Sequence, residues 1–248
     1  MIVLLPPSET KRAGGDGPPL SLEALASPQL TGLRTELVDE LVDLAADREA
    51  SRSALGLSAS QDAEIERNAA LRTAPTAPAI NRYTGVLYEA LDIDSLHGAA
   101  AARAGARLAV GSALFGLLRA TDPVPAYRLS ASSKLPGQPG LAKRWRPVLE
   151  PVLAEIAAAE LVVDLRSGSY AGLAGVSGAV RVDVVAEQPD GRRVSVSHFN
   201  KAHKGRLARV LATTRAEPDD AAAVAAIARR AGMRVEREDR RLTIVVAA

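Results

Sequence analysis

The sequence predicts a mixed α/β fold, in which a mixed sheet is flanked by helices, from three observations. Short apolar runs of strand length follow helical segments, pairs of alternating segments have the pattern of hairpins, and amphipathic segments lie between them. Strands that occur both after helices and within hairpins give parallel and antiparallel pairs in one sheet. No internal repeat or long linker divides the 248 residues. We therefore expect a single domain spanning residues 1–248.

The strand patterns begin at the first residues. Residues 2–5 form an apolar run that ends at Pro6 and Pro7, because consecutive prolines cannot donate hydrogen bonds to a sheet. For residues 107–114 a strand is favoured, with the start of a buried helix as the alternative. The predicted strands span residues 2–5, 107–114, 161–165, 179–187, 192–199, 233–238 and 242–246, the last four as two hairpins.

The helical patterns have leucine or alanine at helical spacing with charged residues between them. Ser60 is expected to cap one helix, with Glu64 near the capping-box position. Pro147 and Pro151 are expected to kink or divide another. The predicted helices span residues 31–50, 60–71, 83–91, 141–160, 201–213 and 218–231.

Composition excludes several kinds of site. There is no cysteine, which excludes disulfides and thiolate metal sites, and three histidines are too few for a histidine cluster. No apolar run approaches the ~20 residues that a membrane helix needs, and the first residues lack the basic leader of a signal peptide. We expect a cytoplasmic protein with no membrane partner, no metal and no cofactor.

Positive charge is concentrated although the net charge is only +2. Residues 95–149 contain eight basic residues and a single acid, Asp122, and residues 192–215 contain seven basic residues and no acid. The distribution of charge, rather than its sum, creates a local field. These segments predict a positively charged cleft that binds an anion.

The loop after the first strand is the first candidate site. Loops at the carboxyl ends of strands bind ligands in open α/β sheets. Ser8, Thr10 and Lys11 offer two hydroxyls and an ammonium suited to phosphate. The loop lacks the glycines of a nucleotide-binding loop, and an ordinary surface turn is an equally good interpretation.

A second candidate lies in residues 116–128. Here Asp122 could orient Arg119 or Arg128 for bidentate capture of phosphate or carboxylate, with Tyr127 beside them. The alternative is an internal salt bridge that shapes the loop, which the spacing alone favours.

The third candidate is the basic start of the helix predicted at residues 201–213. Lys201, Lys204 and Arg206 lie there with no acid nearby, so anion binding is favoured slightly over a solvated helix face. Ser169 and Tyr170 form a polar turn after the strand predicted at 161–165, and their hydroxyls could contact a ligand.

Two lysines complete the predicted anion-binding set. Lys134 and Lys143 flank residues 135–142, whose two glycines resemble a helix-hairpin-helix turn. Two residues rather than one separate these glycines, so the match is weak.

Taken together, these motifs resemble the YaaA peroxide-stress family over nearly the whole chain. The resemblance implies a cytoplasmic protein of the oxidative-stress response that limits free iron and DNA damage. It also implies a positively charged cleft that binds DNA and a helix-hairpin-helix-like element. The motifs that carry it are residues 4–11, 83–85, 116–119, 125–129, Trp145, 164–170 and 201–206.

Three functions follow as hypotheses. The first is binding of duplex DNA with low sequence specificity, because basic residues are numerous while aromatic residues are only 3%. The second is an enzyme acting on a small phosphorylated or nucleotide-like ligand, since the candidate residues are more varied than a phosphate-tracking groove needs. The third is a binding or adaptor protein without catalysis.

Overall fold

Two sheets organise the fold of the computed structural model, which describes residues 1–195 and 197–247. The strands are, in chain order, Ile2–Leu5 (β1), Gly17–Pro19 (β2), Pro75–Pro78 (β3), Leu108–Ser112 (β4), Gly116–Arg119 (β5), Pro123–Val124 (β6), Val162–Asp164 (β7), Val180–Glu187 (β8), Arg193–Ser195 (β9), Val235–Glu238 (β10) and Arg241–Ala247 (β11). The main sheet has the spatial order β10-β11-β8-β7-β1-β4-β5, with β9 paired to β8. The small sheet has the order β2-β3-β6.

Helices flank the main sheet. They are, in chain order, Thr31–Leu44 (α1), Arg48–Leu55 (α2), Asp62–Ala69 (α3), Ala79–Arg82 (α4), Val86–Leu91 (α5), Gly98–Arg107 (α6), Leu141–Ala159 (α7), Gly168–Ala171 (α8), Ser197–Thr213 (α9) and Ala221–Arg230 (α10). Within the described part of the chain, no helix is long and apolar enough to cross a bilayer.

The centre of the main sheet is parallel and its margins are antiparallel. β1 pairs in parallel with both β4 and β7, so that Val3 lies opposite Leu108 on one side and Val163 on the other. All four residues of β1 are buried, as expected of a strand covered on both faces. β10 and β11, and β4 and β5, form antiparallel pairs. The predicted mixed α/β fold is confirmed.

The order of the strands creates a crevice at one edge of the sheet. From β1 the chain continues to β4 on one side, whereas from β7 it continues to β8 on the other side. Loops that leave two adjacent parallel strands in opposite directions open a crevice at the carboxyl ends of those strands. β1 and β7 are such a pair.

The prediction of one helix over residues 31–50 is wrong. α1 ends at Leu44, and Asp47 caps a separate helix by accepting a hydrogen bond from the N–H of Ala50 at 3.0 Å. The predicted cap at Ser60 is also wrong, because the capping box is formed by Ser58 and Gln61. In both cases a polar side chain directly before the first helical residue accepts a hydrogen bond from the backbone three residues further on and so selects the start.

The segment around β4 contains a helix and a strand that the sequence patterns did not indicate. The strand predicted at 107–114 is confirmed as Leu108–Ser112, but α6 precedes it and β5 follows it as a hairpin partner. Gly116 lies at the turn with φ +72°, and a Cβ there would lie 2.6 Å from the ring of Trp145. Only glycine fits that turn without displacing the tryptophan.

Two further boundaries differ from the sequence predictions. α7 continues through Pro147 and Pro151 as one helix, so the proline pair does not divide it. The strand predicted at 192–199 is limited to Arg193–Ser195, and α9 begins at Ser197, before the predicted start at 201. The closing hairpin is confirmed as β10 and β11.

Candidate functional site

A cleft of about 880 Å³ opens at the carboxyl ends of β1 and β7. Residues directly after β1 and β7 form its floor, and the start of α5 and one face of α9 form its walls, with one residue from β8. Its lining is Pro6, Pro7, Ser8, Glu9, Thr10, Thr84, Gly85, Val86, Leu87, Tyr88, Leu165, Arg166, Ser167, Gly168, Ser169, Tyr170, Asp183, Asn200, Lys201 and Lys204. The cleft therefore occupies the crevice that the strand order creates.

The loop after β1 is held by residues at the start of α5. The Ser8 hydroxyl accepts a hydrogen bond from the N–H of Thr84 at 3.1 Å. The Thr84 hydroxyl lies 3.2 Å from the Thr10 carbonyl and 3.0 Å from the Thr10 hydroxyl. Tyr88 donates to the carbonyl of Pro6 at 2.8 Å. These bonds position four hydroxyls, those of Ser8, Thr10, Thr84 and Tyr88, at one side of the cleft.

Lys11 supports this loop from behind. Its Nζ donates to the carbonyls of Ser8 at 3.1 Å and Glu9 at 3.2 Å and lies 4.2 Å from the centre of the Tyr127 ring. The side chain is buried, and burial, followed by the nearby charge of Arg128, lowers the pKa of Lys11 to about 7. The ammonium is thus directed at the backbone of the loop.

A buried hydroxyl network lies beneath Lys11. The Tyr127 hydroxyl is 2.8 Å from that of Tyr83 and 2.7 Å from that of Ser112. Burial raises the pKa of both tyrosines well above the usual value, so both stay neutral. The face of a neutral phenol ring carries a partial negative charge, and this charge attracts the Lys11 ammonium that lies over the Tyr127 ring.

Arg128 reaches the loop from the segment after β6. Its Nη2 lies 2.8 Å from Oε2 of Glu9, whose side chain lines the cleft. The backbone of Arg128 is fixed by Asn68, which accepts from its N–H at 2.8 Å and donates to its carbonyl at 2.9 Å. Its Nε is buried and has no hydrogen-bond partner among the described residues.

The turn after β7 is built on a buried ion pair. Asp164 accepts from Nε of Arg166 at 3.0 Å and from its Nη2 at 2.9 Å. The same guanidinium donates to the carbonyls of Tyr170 at 3.3 Å and Ala174 at 3.0 Å. The planar Arg166 guanidinium thus donates to four oxygens. These bonds hold the turn that places Ser167 and Ser169 in the cleft lining.

Lys204 joins α9 to this turn. Its Nζ donates to the carbonyl of Leu165 at 3.1 Å and lies 3.5 Å from that of Arg166. Burial lowers the pKa of Lys204, while Asp183 and Asp164 act in the opposite direction. The neighbouring Lys201 is exposed and lines the cleft.

The structure brings together nine of the fourteen residues that the sequence analysis singled out. Six of them line the cleft: Ser8, Thr10, Ser169, Tyr170, Lys201 and Lys204. Three support it from behind: Lys11, Tyr127 and Arg128. Five lie outside the lining: Arg119, Asp122, Lys134, Lys143 and Arg206.

The prediction that Asp122 orients Arg119 or Arg128 is wrong. The Asp122 carboxylate accepts from the backbone N–H groups of Ala26 at 3.2 Å and Arg119 at 2.9 Å, because the turn after β5 folds it back onto its own strand. Arg119 pairs with Ala109 near the amino end of β4, at the edge of the sheet opposite the cleft. Burial raises the pKa of Asp122.

The segment with the weak helix-hairpin-helix pattern is a loop leading into α7. Turns and irregular backbone, rather than a helix, precede it from Ser130 onward. Lys134 and Lys143 are exposed on this loop and on α7, and Arg206 is exposed on α9.

Seven polar lining residues were not selected from the sequence: Glu9, Thr84, Tyr88, Arg166, Ser167, Asp183 and Asn200. Arg166 follows a strand as Ser8 does, so the same rule would have found it. Thr84 and Asn200 reach the cleft only because α5 packs against α9, which no local pattern indicates. The ionisable lining residues carry both signs: Glu9, Asp183, Arg166, Lys201 and Lys204. A positively charged cleft therefore stays a prediction.

Comparison with known proteins adds a family relationship. Residues 1–238 match a family described as "Peroxide stress protein YaaA". A UPF0246 protein of Corynebacterium efficiens is 49% identical over 253 residues, covering 99% of this chain and 100% of that protein. A UPF0246 protein of Corynebacterium glutamicum is 46% identical with the same coverage. One from Streptomyces coelicolor is 45% identical, covering 96% of this chain and 93% of that protein.

Proposed function

The chain belongs to the YaaA peroxide stress protein family, and from this premise we propose that it binds a small phosphorylated or nucleotide-like ligand in the cleft between β1 and β7. The observation that carries the proposal is the convergence of hydroxyls from two strand-end loops with the basic start of α9 on one cleft of about 880 Å³. A volume of this size suits a metabolite rather than a macromolecule.

The lining offers complementary groups for such a ligand. Thr10 and Ser169 supply hydroxyls that can donate to phosphate or ribose oxygens, whereas the Ser8 hydroxyl donates within its own loop to the Thr10 carbonyl. Lys201 supplies an exposed ammonium, and no described residue forms an ion pair with it. Tyr88 and Leu87 provide apolar surface for a base or another nonpolar group. Lys201 is thus the residue on which the binding of a phosphate depends most.

Catalysis on that ligand is the stronger form of the proposal. It needs groups that can exchange a proton with the ligand from within the cleft, which excludes Lys11, because its ammonium is directed at the backbone of the Ser8–Thr10 loop. Two carboxylates, Glu9 and Asp183, line the same cleft. Mixed polarity with convergent carboxylates is typical of sites that do chemistry.

Replacing Lys201 with glutamine is expected to weaken the binding of ADP and of inorganic pyrophosphate about tenfold, because a charge-assisted hydrogen bond to phosphate is lost. Isothermal titration calorimetry measures the dissociation constants. Lys143→Gln is the matched control, since it removes an equally exposed ammonium outside the cleft lining. Unchanged affinity in Lys201→Gln, or no binding of either probe at millimolar concentration, would contradict the proposal.

Binding of duplex DNA with low sequence specificity, together with the limitation of iron-dependent damage, is the second candidate function. The observation that favours it is a set of exposed basic side chains that make no ion pair with described residues: Lys134, Lys143, Lys201 and Arg206. Such residues can neutralise phosphates without reading bases. Three of these side chains, Lys134, Lys143 and Arg206, lie outside the cleft lining, so variants at these positions separate this candidate from the first.

The double variant Lys143→Gln with Arg206→Gln is expected to reduce the slope of log K against log salt by about 2 for a DNA duplex, because each phosphate contact contributes about 0.9. Fluorescence anisotropy at several salt concentrations measures the slope. Arg230→Gln, which removes an exposed charge outside both basic segments, should leave it unchanged. A wild-type affinity that is independent of salt would exclude this candidate.

A further inference from the structure

Arg128 and Glu9 form an ion pair of unequal partners at the floor of the cleft. The Arg128 side chain is 11% exposed, whereas that of Glu9 is 68% exposed, at an Nη2–Oε2 distance of 2.8 Å. We propose that Arg128 is the subsite for a phosphate group of the ligand and that Glu9 is an internal carboxylate which fills this subsite until the phosphate displaces it. The inference rests on the proposed ligand binding in the cleft and names the residue that receives the anion.

The first argument is that the pair is easily opened from one side. Glu9 returns to water when it leaves, because most of its side chain is already exposed. Arg128 is buried and held at its backbone by Asn68, so it stays in place when Glu9 leaves. The Arg128 guanidinium therefore keeps its position, whereas the Glu9 carboxylate can be displaced from it.

The second argument is that Glu9 satisfies the guanidinium incompletely. Glu9 is bonded through Nη2, while Nε of Arg128 is buried with no partner among the described residues. A buried donor without a partner costs about 1–3 kcal/mol. Phosphate oxygens accept from Arg in a bidentate manner and can reach two nitrogens of the fork at once. A phosphate would thus satisfy the nitrogen that Glu9 leaves unpaired.

The third argument is the charge behind the pair. Lys11 lies close enough to Arg128 for their repulsion to add to the effect of burial on the pKa of Lys11. Glu64 and Arg67, which also act on Lys11, form an ion pair with each other and so contribute little net charge. Below about pH 7, where Lys11 is protonated, two cations thus face a single carboxylate, an arrangement that favours the double negative charge of a phosphate. Tyr170 lines the cleft, and the charges of Glu9 and Arg128 both act on its pKa, in opposite directions. The ion pair therefore adjoins the cleft.

A second ion pair in the molecule shows what a purely structural pair of this kind looks like. Arg107 and Glu217 have the same asymmetry, with side chains 6% and 72% exposed. Arg107, however, also donates to the carbonyls of Leu211, Thr214 and Ala216 at 3.0, 2.7 and 3.1 Å. Nη1 and Nη2 of Arg107 make four hydrogen bonds, and among the described residues Arg107 has no buried nitrogen without a partner. The pair also lies outside the cleft lining. Glu217 is therefore a matched control for Glu9.

The test compares the binding of inorganic pyrophosphate by the full chain and its variants, measured by isothermal titration calorimetry. Glu9→Gln is expected to lower the dissociation constant about tenfold, because the competing carboxylate is gone, and Glu217→Gln to leave it unchanged. In the Glu9→Gln background, Arg128→Lys should remove the gain, because a lysine cannot supply the bidentate fork. Thermal unfolding of each variant verifies that it is folded.

The outcomes separate this inference from the proposed function. A dissociation constant that is equal or higher in Glu9→Gln overturns the inference, and if Lys201→Gln still weakens binding, ligand binding in the cleft stands without it. A gain in Glu9→Gln that Lys201→Gln does not affect would support the Arg128 subsite and contradict the wider cleft. If neither the wild type nor Glu9→Gln binds pyrophosphate at millimolar concentration, both are overturned.

Discussion

Replacing Gly205 with alanine is expected to lower the free energy of unfolding by about 3 kcal/mol, at the upper end of the usual cost of overpacking. A Cβ at this position would lie 2.2 Å from the carbonyl oxygen of Leu87 and 2.8 Å from the Cβ of Ala90. Both belong to α5, so α9 would have to move away from it. Urea unfolding followed by circular dichroism measures the change.

The control for this prediction is the same substitution in another helix. Gly105 lies within α6, and a Cβ there would meet only the Thr121 methyl group at an ordinary 3.6 Å. Gly105→Ala is expected to raise the free energy of unfolding by up to about 1 kcal/mol, because alanine is the better helix former. Opposite signs at the two glycines identify the α5–α9 contact as the cause. Equal effects would contradict that assignment.

The Gly205 contact also bears on the cleft. Lys204 and Lys201 lie on the same helix, and Thr84 and Tyr88 lie in or beside α5. A shift of α9 would separate the groups that the proposed ligand contacts. We expect Gly205→Ala to weaken pyrophosphate binding under conditions in which the variant is still folded.

The second large effect concerns Lys11 and pH. Burial, followed by the charge of Arg128, lowers the pKa of Lys11 from 10.5 to about 7. Below pH 7 the residue is protonated in both the folded and the unfolded chain, so its destabilising effect is present in full. Between pH 7 and 10.5 the unfolded chain binds more protons, so stability rises with pH. The rise attributable to Lys11 between pH 7 and 10 is about 3 kcal/mol.

The variant Lys11→Met tests this linkage. Methionine fills a similar volume without a charge, so the variant should lack the rise that Lys11 produces. Subtracting the two stability–pH curves, measured by urea unfolding, removes the contribution of other titrating groups. Lys143→Met, at an exposed position, should follow the wild-type curve. Parallel curves for wild type and Lys11→Met would show that the pKa of Lys11 is not lowered.

Some elements of the fold could be predicted from the sequence because their causes are local. The apolar run of β1 and its proline stop, the turn between β10 and β11, and the periodicity of α7 are patterns of a few residues. The helix break at Asp47 was missed because residues 45–50 contain three alanines and no proline or glycine that would mark a stop. β5 was missed because its four residues have no alternation and are buried almost throughout.

The candidate site could be predicted in part for the same reason. Ser8 and Thr10 followed from one rule about loops at strand ends, and Ser169 and Tyr170 from the strand before them. Arg119 and Asp122 were grouped with Arg128 because they are near in sequence, but the β4–β5 hairpin takes the first two to the opposite edge of the sheet. Proximity along the chain is a poor guide wherever a strand lies between two residues.

Local sequence patterns were enough to predict the α/β class, most of the strands and helices, and the two loops and one helix start that supply most of the polar cleft lining. These depend on spacing, side-chain type and turn residues, which act over short segments. No local pattern indicates that Lys11 is turned away from the cleft or that Arg128 pairs with Glu9, a residue 119 positions away. The physical reason is that burial and ion pairing depend on which segments meet in space, and that is determined by strand order and helix packing over the whole chain.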